Sequence, residues 1–520
     1  MKILKKIVLI VGSFIVLILL LNFGLNFWLN RQLPKVINEK NKTPYNITYK
    51  NLKINLLSKN ITASDVTISP KSKSQDSLKK IGIYATIESI EVREFKIWDL
   101  VFSDRIKANS IEINTPEVYL YKNTQNAINN SKSLGSDVVK PFQEIIIVSN
   151  IKLNKGELKI IHNQKNQSIL DLKNLNLQID GIVITDDILK NKIPFQYSNY
   201  QLNADSIYYR VSEDYHIKAN ELILNAKSLT VKNFKLDPEY SRKEFVSKLE
   251  KEKDLFTLNS DIIKVNTIDW GFKDDKLFFN ANSIRINQLA ANIYRNKLPA
   301  DDMRKKPLYS KLLRDIKFPL RIDTLAIRNS LLVYEEELSF NKGPGVLKFK
   351  DFNLTATNIQ SGYGLKKNGH VNIDIDCKFM KDSPFKLNWN FNVLDKNDNF
   401  TMNGVVSNLN TNDLYRFTKP YINATTQGIF DELKFTIKGN DFNSYENASL
   451  KYHDLKVTLY RKGAPEKKNK IKSALANLIL KNDSDGEVVK TTATIERVPE
   501  KSFFNFLWLN VAAVLKHILI

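Results

Sequence analysis

Apolar residues recur at every second position along most of this chain. Leu52, Ile54 and Leu56 alternate with Lys53 and Asn55, and Ile90 and Val92 alternate with Glu91 and Arg93. A period of two puts one set of side chains on one face of an extended strand, so these runs predict half-buried β-strands. Further runs occupy Ile111 to Leu120, Leu153 to Ile160, Leu175 to Ile179, Leu325 to Val333, Val371 to Ile375, Leu387 to Val393 and Leu455 to Leu459. One wet and one apolar face per strand is the pattern of antiparallel sheets, so the expected class is mainly β, predominantly antiparallel, with a few short helices.

One stretch returns three times: Ile106-Lys-Ala-Asn-Ser-Ile-Glu-Ile-Asn114, Ile217-Lys-Ala-Asn-Glu-Leu-Ile-Leu-Asn225 and Phe279-Asn-Ala-Asn-Ser-Ile-Arg-Ile-Asn287. In the first copy the apolar positions run 106, 108, then 111, 113, so the alternation slips by one residue at Asn109 and Ser110. Such a slip would turn the apolar set to the wrong face unless a bulge or tight turn restores it, and the device is expected in every copy. A shift of about 173 residues also lays Ile90-Glu-Val on Ile263-Lys-Val, and slightly larger shifts lay Ile151 to Ile160 on Leu325 to Tyr334 and Lys173-Asn-Leu-Asn-Leu on Lys350-Asp-Phe-Asn-Leu. Residues 85–257 and 258–430 read as duplicated halves of one β-rich domain over 31–500, extended by stacking similar units.

Asp237-Pro238-Glu239 reads as a helix start followed by Phe245 and Leu249, and 301–315 as a second short helix. The stretches 123–137 and 463–472 read as loops. From 501 to 520 an apolar tail with Phe503, Phe506, Trp508 and Val511 predicts a helix. Asn510, Lys516 and His517 interrupt it and favour closing the end of the sheet, or lying at a membrane surface, over spanning a bilayer.

The amino terminus differs from the rest. Between Ile7 and Asn30 no residue bears a formal charge, and a helix holding Ile7, Ile15 and Leu20 is long enough to cross a hydrocarbon layer. Lys2, Lys5 and Lys6 precede it and Trp28 falls near its far interface, so residues 1–30 read as an uncleaved single-pass anchor with the amino terminus in the cytoplasm.

Catalytic groupings are missing from the sequence. The histidines at 162, 216, 370, 453 and 517 are scattered, and the acidic pairs at 186–187, 274–275 and 301–302 fit caps and solvated turns. There is no phosphate-binding glycine loop, dinucleotide fingerprint or serine elbow. The net charge of +22 is spread along strands and loops, which disfavours a nucleic-acid partner. The single thiol, Cys377, cannot close an intrachain bridge. The expectation is a protein that is not an enzyme and needs no metal or cofactor.

Leu52-Lys-Ile-Asn-Leu-Leu-Ser with Ile61-Thr-Ala-Ser-Asp-Val-Thr-Ile, and then Ala85-Thr-Ile-Glu-Ser-Ile-Glu-Val leading to Ile106 through Thr115-Pro-Glu-Val-Tyr-Leu, resemble the opening of AsmA-like envelope proteins of Gram-negative bacteria. That resemblance implies an inner-membrane anchor, a periplasmic bulk, and an elongated, curled, repeating β-groove that conducts phospholipid or another acyl lipid toward the outer membrane. It also leaves room for an envelope protein partner, or for a TamB-like scaffold role in outer-membrane protein assembly. Candidate groove-lining residues along the alternating runs are Ile54, Ile90, Val92, Ile111, Ile113, Val118, Leu120, Leu153, Leu158, Leu222, Leu224, Ile284, Ile286, Ile327 and Val333, with Lys107 and Glu112 facing water.

Overall fold

The computed structural model describes residues 44–71, 80–96, 106–122, 146–185, 195–273, 276–461 and 481–519, with short pieces at 23–24, 27–28, 31, 99, 187–188, 191, 193, 464–468 and 472–473. The protein is mainly β, 63% strand, with mixed pairing and few short helices. Its contacts divide it into two units, residues 1–210 with 219–226 and residues 211–218 with 227–520. Of the expected anchor, Ile7, Ile15 and Leu20 lie outside the described residues. Phe27 and Trp28 are helical and exposed, and the Arg31 guanidinium stands 4.6 Å from the Phe27 ring centre. The expected loop at 123–137 is also outside them.

In the first unit β1 (Tyr45–Thr48) and β2 (Asn51–Asn55) both pair with β3 (Asn60–Pro70). β4 (Gly82–Arg93), β5 (Ile106–Lys122), β6 (Ile146–His162) and β7 (Gln167–Asp180) follow, then β8 (Asn199–Ala204) and β9 (Ser206–Arg210), which share β7 as partner. β10 (Tyr215–Ala219) lies mostly in the second unit, and β11 (Glu221–Asn225) pairs with β8 in the first. The second unit continues through β12 (Ser228–Pro238), β13 (Leu255–Lys273), β14 (Lys276–Asn287), β15 (Ala290–Asn296), β16 (Leu320–Glu337) and β17 (Gly345–Gln360). An antiparallel meander then runs through β18 (His370–Phe379), β19 (Ser383–Asn392), β20 (Phe400–Asn410), β21 (Ala424–Gly439) and β22 (Asn443–Arg461). β22 pairs with both β23 (Ala464–Lys468) and β24 (Val489–Glu496). Helices described in this unit include α1 (Arg242–Ser247), α2 (Tyr309–Arg314), α3 (Tyr415–Ile422) and α4 (Phe503–Leu519).

Pairing is not uniformly antiparallel. β5 runs parallel to β6, and β14 and β15 run parallel to β16. Both joints follow a long connection, 123–145 and 297–319, and a parallel neighbour requires such a crossover where a hairpin would invert direction. The sequence pattern missed this because alternation reports which face is apolar, not strand polarity. Two local expectations also change. Asp237 and Pro238 end strand β12, and the helix begins later, at Arg242, where Ser241 and Glu244 form a reciprocal capping box. Residues 464–468, expected in a loop, pair back on β22.

The phase slip is present and is shared by neighbouring strands. Ala108 and Ile111, three apart, enter one buried cluster with Val92 and Phe95, which flank Glu94 at φ 53°. In the second unit Ala281 and Ile284 repeat this with Val265 and Ile268, which flank Thr267 at φ 52°. Because the partner strand slips at the same level, the pairing of β4 with β5 and of β13 with β14 runs through without a register shift. In the remaining copy the strand is interrupted at Asn220, between β10 and β11.

A second line of left-handed residues crosses each unit: Asp65, Thr115, Lys155 and Asn174 in the first, Asn233, Gln288, Asn329 and Asp351 in the second. Asparagine and aspartate tolerate this region better than other residues with a Cβ. The duplicated Lys-Asn/Asp-Leu/Phe-Asn-Leu motif supplies the clamp. Asn176 accepts the Lys155 N–H at 3.0 Å and donates to the Asn174 carbonyl at 3.1 Å, while Asn353 accepts the Asn329 N–H at 3.0 Å and donates to the Asp351 carbonyl at 2.8 Å. Asn353→Ala removes both partners at once and should lower stability by about 1–3 kcal/mol in urea unfolding, whereas alanine at exposed Asn282 should cost less than about 0.5 kcal/mol.

Candidate functional site

The strand registers join the apolar positions into rows that cross the sheet at right angles to the chain. In the first unit one row runs Leu52, Ala63, Ile90, Ile113, Leu153, Leu177, Leu202, Leu224, each directly opposite the next. A second joins Ile54, Ile61, Val92, Ile111, Ile151 and Ile179. Val118 sits between Ala85 and Leu158, Leu120 between Ile83 and Ile160, and Leu222 opposite Ala204. Such unbroken rows make a continuous hydrocarbon-like strip. The Leu52 to Leu224 row is half-buried throughout, and only the buried members of its neighbour, Ile61, Val92 and Ile111, reach the full-burial value of about 1.5–3 kcal/mol each. The clusters formed here are built from strands and their flanking residues, and no described helix residue joins them.

The second unit repeats the arrangement over more strands. One row passes from Leu229 through Val265, Ile284, Leu325, Ala356, Ile373, Trp389, Met402 and Ile437 to Glu446 and Ala493. Its neighbour includes Ile263, Ile286, Ile327, Leu354, Ile375 and Leu387. Val333 is the one lining candidate that misses these rows. It stands opposite Asn292 and Lys348, while Leu332 stands between Ala291 and Phe349. Left-handed Asn329 resets the phase between Ile327 and Leu332, which a straight alternation count carries past.

α4 covers the far end of this unit's apolar rows. Phe503 stacks on Trp389 with ring centres 5.0 Å apart and meets Phe400 edge-on at 5.3 Å. Phe506, Asn510, Val514 and Ile518 are buried at helical spacing, the last two against Leu450 and Leu455. Val511 is half-buried, and Trp508, at 37% exposure, meets Phe417 of α3 edge-on. The opposite face of the same strands opens as a hollow of about 1290 Å³ edged by Asp374, Asp376, Lys386, Lys434 and Lys490, with asparagines and threonines between them. The charged, amide and hydroxyl side chains of this hollow lie on the face opposite the main apolar row, although Ile375, Leu387 and Phe435 also border it, and α4 lies over the apolar side.

The polar face is more constrained than solvated charge. Glu112 pairs with Arg93 at 2.6 Å and Lys152 at 3.3 Å and accepts from Asn154 at 2.7 Å. Burial alone would raise its carboxyl pKa, but the hydrogen bonds from Asn154 and Lys152 and the charge of Arg93 outweigh it and hold the carboxyl below the ordinary range. Its stabilising effect is thus present at neutral pH and lost on acidification through that lowered value. Lys107 pairs with Asp99 at 3.0 Å.

Three polar features escaped the sequence pattern. Tyr294, Asn296 and Glu337 form a buried hydrogen-bonded group between β15 and β16, and Arg295 holds Asp254 through two bonds of 2.6 and 2.8 Å. Glu446 is 1% exposed, has one carboxylate oxygen without a hydrogen-bond partner, and burial pushes its carboxyl up to about 7. Its parity was a readable signal, since it alternates with Ser444, Ala448 and Leu450 on the apolar side. Burial likewise pushes the Cys377 thiol up to about 12. Among the described residues no group of His, Cys, Asp and Glu is arranged to hold a metal, and no helix is long and apolar enough to cross a membrane.

No protein-family model matches the chain, and no curated protein matches it either. Ile113→Asp sets an unpaired carboxylate between Ile90 and Leu153 and should cost about 3 kcal/mol or more in urea unfolding. Glu112→Lys faces Arg93 and Lys152 with a third cation and should cost roughly 1 kcal/mol, more than a solvated position would.

Proposed function

We propose that this protein is a non-enzymatic carrier of acyl lipid in a bacterial envelope, anchored in the inner membrane by residues 1–30 and moving phospholipid along its apolar rows toward the outer membrane. The observation that carries this reading is the unbroken row from Leu52 to Leu224, eight strands wide and without a described helix over it. A hydrocarbon tail in contact with such a strip gains by leaving water at every step and meets no polar side chain that would hold it. The reading requires that the sheet curl around this face as a groove. It needs continuity of apolar surface rather than any single reactive residue, in keeping with the scattered histidines and capped carboxylates.

The seal made by α4 in the second unit restricts where the tail would run. In the second unit α1 packs on Leu255 and Tyr294, α3 on β16 and β17, and α4 on the last strands, so access is offered chiefly by the first unit.

Photo-crosslinking residues at Ile113 and Ile286 of the full-length protein, irradiated in cells, should yield adducts with acyl chains. Adducts with unfolded outer-membrane polypeptides alone would replace lipid transport with a scaffold role in protein assembly. A matching pair at Lys107 and Arg285, off the rows, should give neither.

A further inference from the structure

Glu446 lies where no carboxylate is comfortable. It faces Ile437 of β21 and Ala493 of β24, with Ser444 and Ala448 beside it on its own strand. α4 closes the site from above: Asn510, wholly buried, meets the Ser444 hydroxyl at 2.8 Å and donates to the Phe506 carbonyl at 2.8 Å, and Val514 packs in the cluster holding Ala448 and Leu450. None of these neighbours is charged, and Arg497, the buried cation on the same face just past β24, is turned to Asp441. The cations of α4, Lys516 and His517, are exposed near its carboxyl end, and His517 is turned to the Thr492 carbonyl. Burial is the sole cause acting on the Glu446 carboxyl.

From this arrangement we infer that α4 is a displaceable lid over the far ends of the apolar rows, latched while Glu446 is protonated and loosened when it ionises. The lid occupies the place that an acyl chain would take: Phe503 lies flat on Trp389, and Phe506 lies among Phe400, Met402 and Ile437. A negative charge beneath it has no cation to meet and no water to solvate it, so ionisation is relieved only by lifting the helix. The sign follows directly. The carboxyl holds its proton more tightly with the lid down, so docking is strongest in acid and weakens as pH rises from the ordinary carboxylate range through about 7. The position of the lid over an acyl path rests on the carrier reading; the latch itself does not.

Hydrogen exchange of the α4 amides in full-length protein held in amphipol, corrected for intrinsic chemical rates, tests the latch. Between about pH 5.5 and about pH 8 the wild-type lid should open roughly 25-fold more readily, the linkage expected for a carboxyl moving between its ordinary value and about 7. Glu446→Gln should show low exchange at both pH values, and Glu446→Met, which also cannot titrate, serves in its place if the amide variant does not fold. A wild-type lid whose corrected exchange ignores pH, or a Gln or Met variant that keeps the response, overturns the latch. A pyrene-labelled fatty acid added in parallel separates the two ideas. Uptake that rises with opening supports a lid over an acyl path, opening without uptake leaves the latch and overturns the carrier reading at this site, and full uptake with the lid down overturns its blocking role.

Discussion

Everything in this fold depends on keeping one face of very long strands apolar. Strands of seventeen to nineteen residues, such as β5, β13 and β22, are far longer than a flat pleat can follow while a sheet twists. A slip in a single strand would expose its whole apolar set. Here the slips are taken together: Glu94 with Asn109 and Ser110, Thr267 with Asn282 and Ser283, and the longer line through Asp65, Thr115, Lys155 and Asn174. The cost of left-handed backbone, of order 1 kcal/mol per residue, is offset by register preserved across many strands.

From that constraint the two faces acquire different characters. On one, rows of Ile, Leu and Val meet across strand after strand, and polarity enters only at isolated points, chiefly Glu446. On the other, charges are stitched pairwise, as Glu112 is with Arg93 and Lys152. Helices are few and specific in placement. α1 plugs a small cluster through Phe245 and Val246, and α4 covers the last strands. The proposed transport of lipid draws on the first of these faces, and the proposed lid on the one place where a titratable group interrupts it.

Much of this was legible from residue order. The period of two located most strands, the threefold motif marked where the pleat changes phase, and the terminal aromatic tail announced a covering helix. Most of the proposed lining positions fall on shared cross-strand rows, some of them, such as Val118 and Leu158, beyond a left-handed residue of their own strand. Val333 shows the limit, because a count of two from Ile327 passes unknowingly through Asn329. Strand polarity was equally hidden, since β5 and β6 would look the same in either direction. The helix at 242 was displaced because Pro238 suits a strand end as well as a first helical turn, and only the Ser241 and Glu244 pair decides between them. Glu446 stood in plain view at an inward parity, but a lone acid in an alternating run reads as solvated until its neighbours are known.

The matched kinks bear on how such a chain can lengthen over generations. Deleting or inserting one residue in β6 would put Lys155 out of step with Thr115 on one side and Asn174 on the other, so the misfit would be felt in strands encoded far away. Copying the whole block carries every compensating kink along with it, together with its asparagine clamp. Moved as a whole, such a block would stay self-consistent, and Asn176 and Asn353 make the same two bonds in their respective blocks.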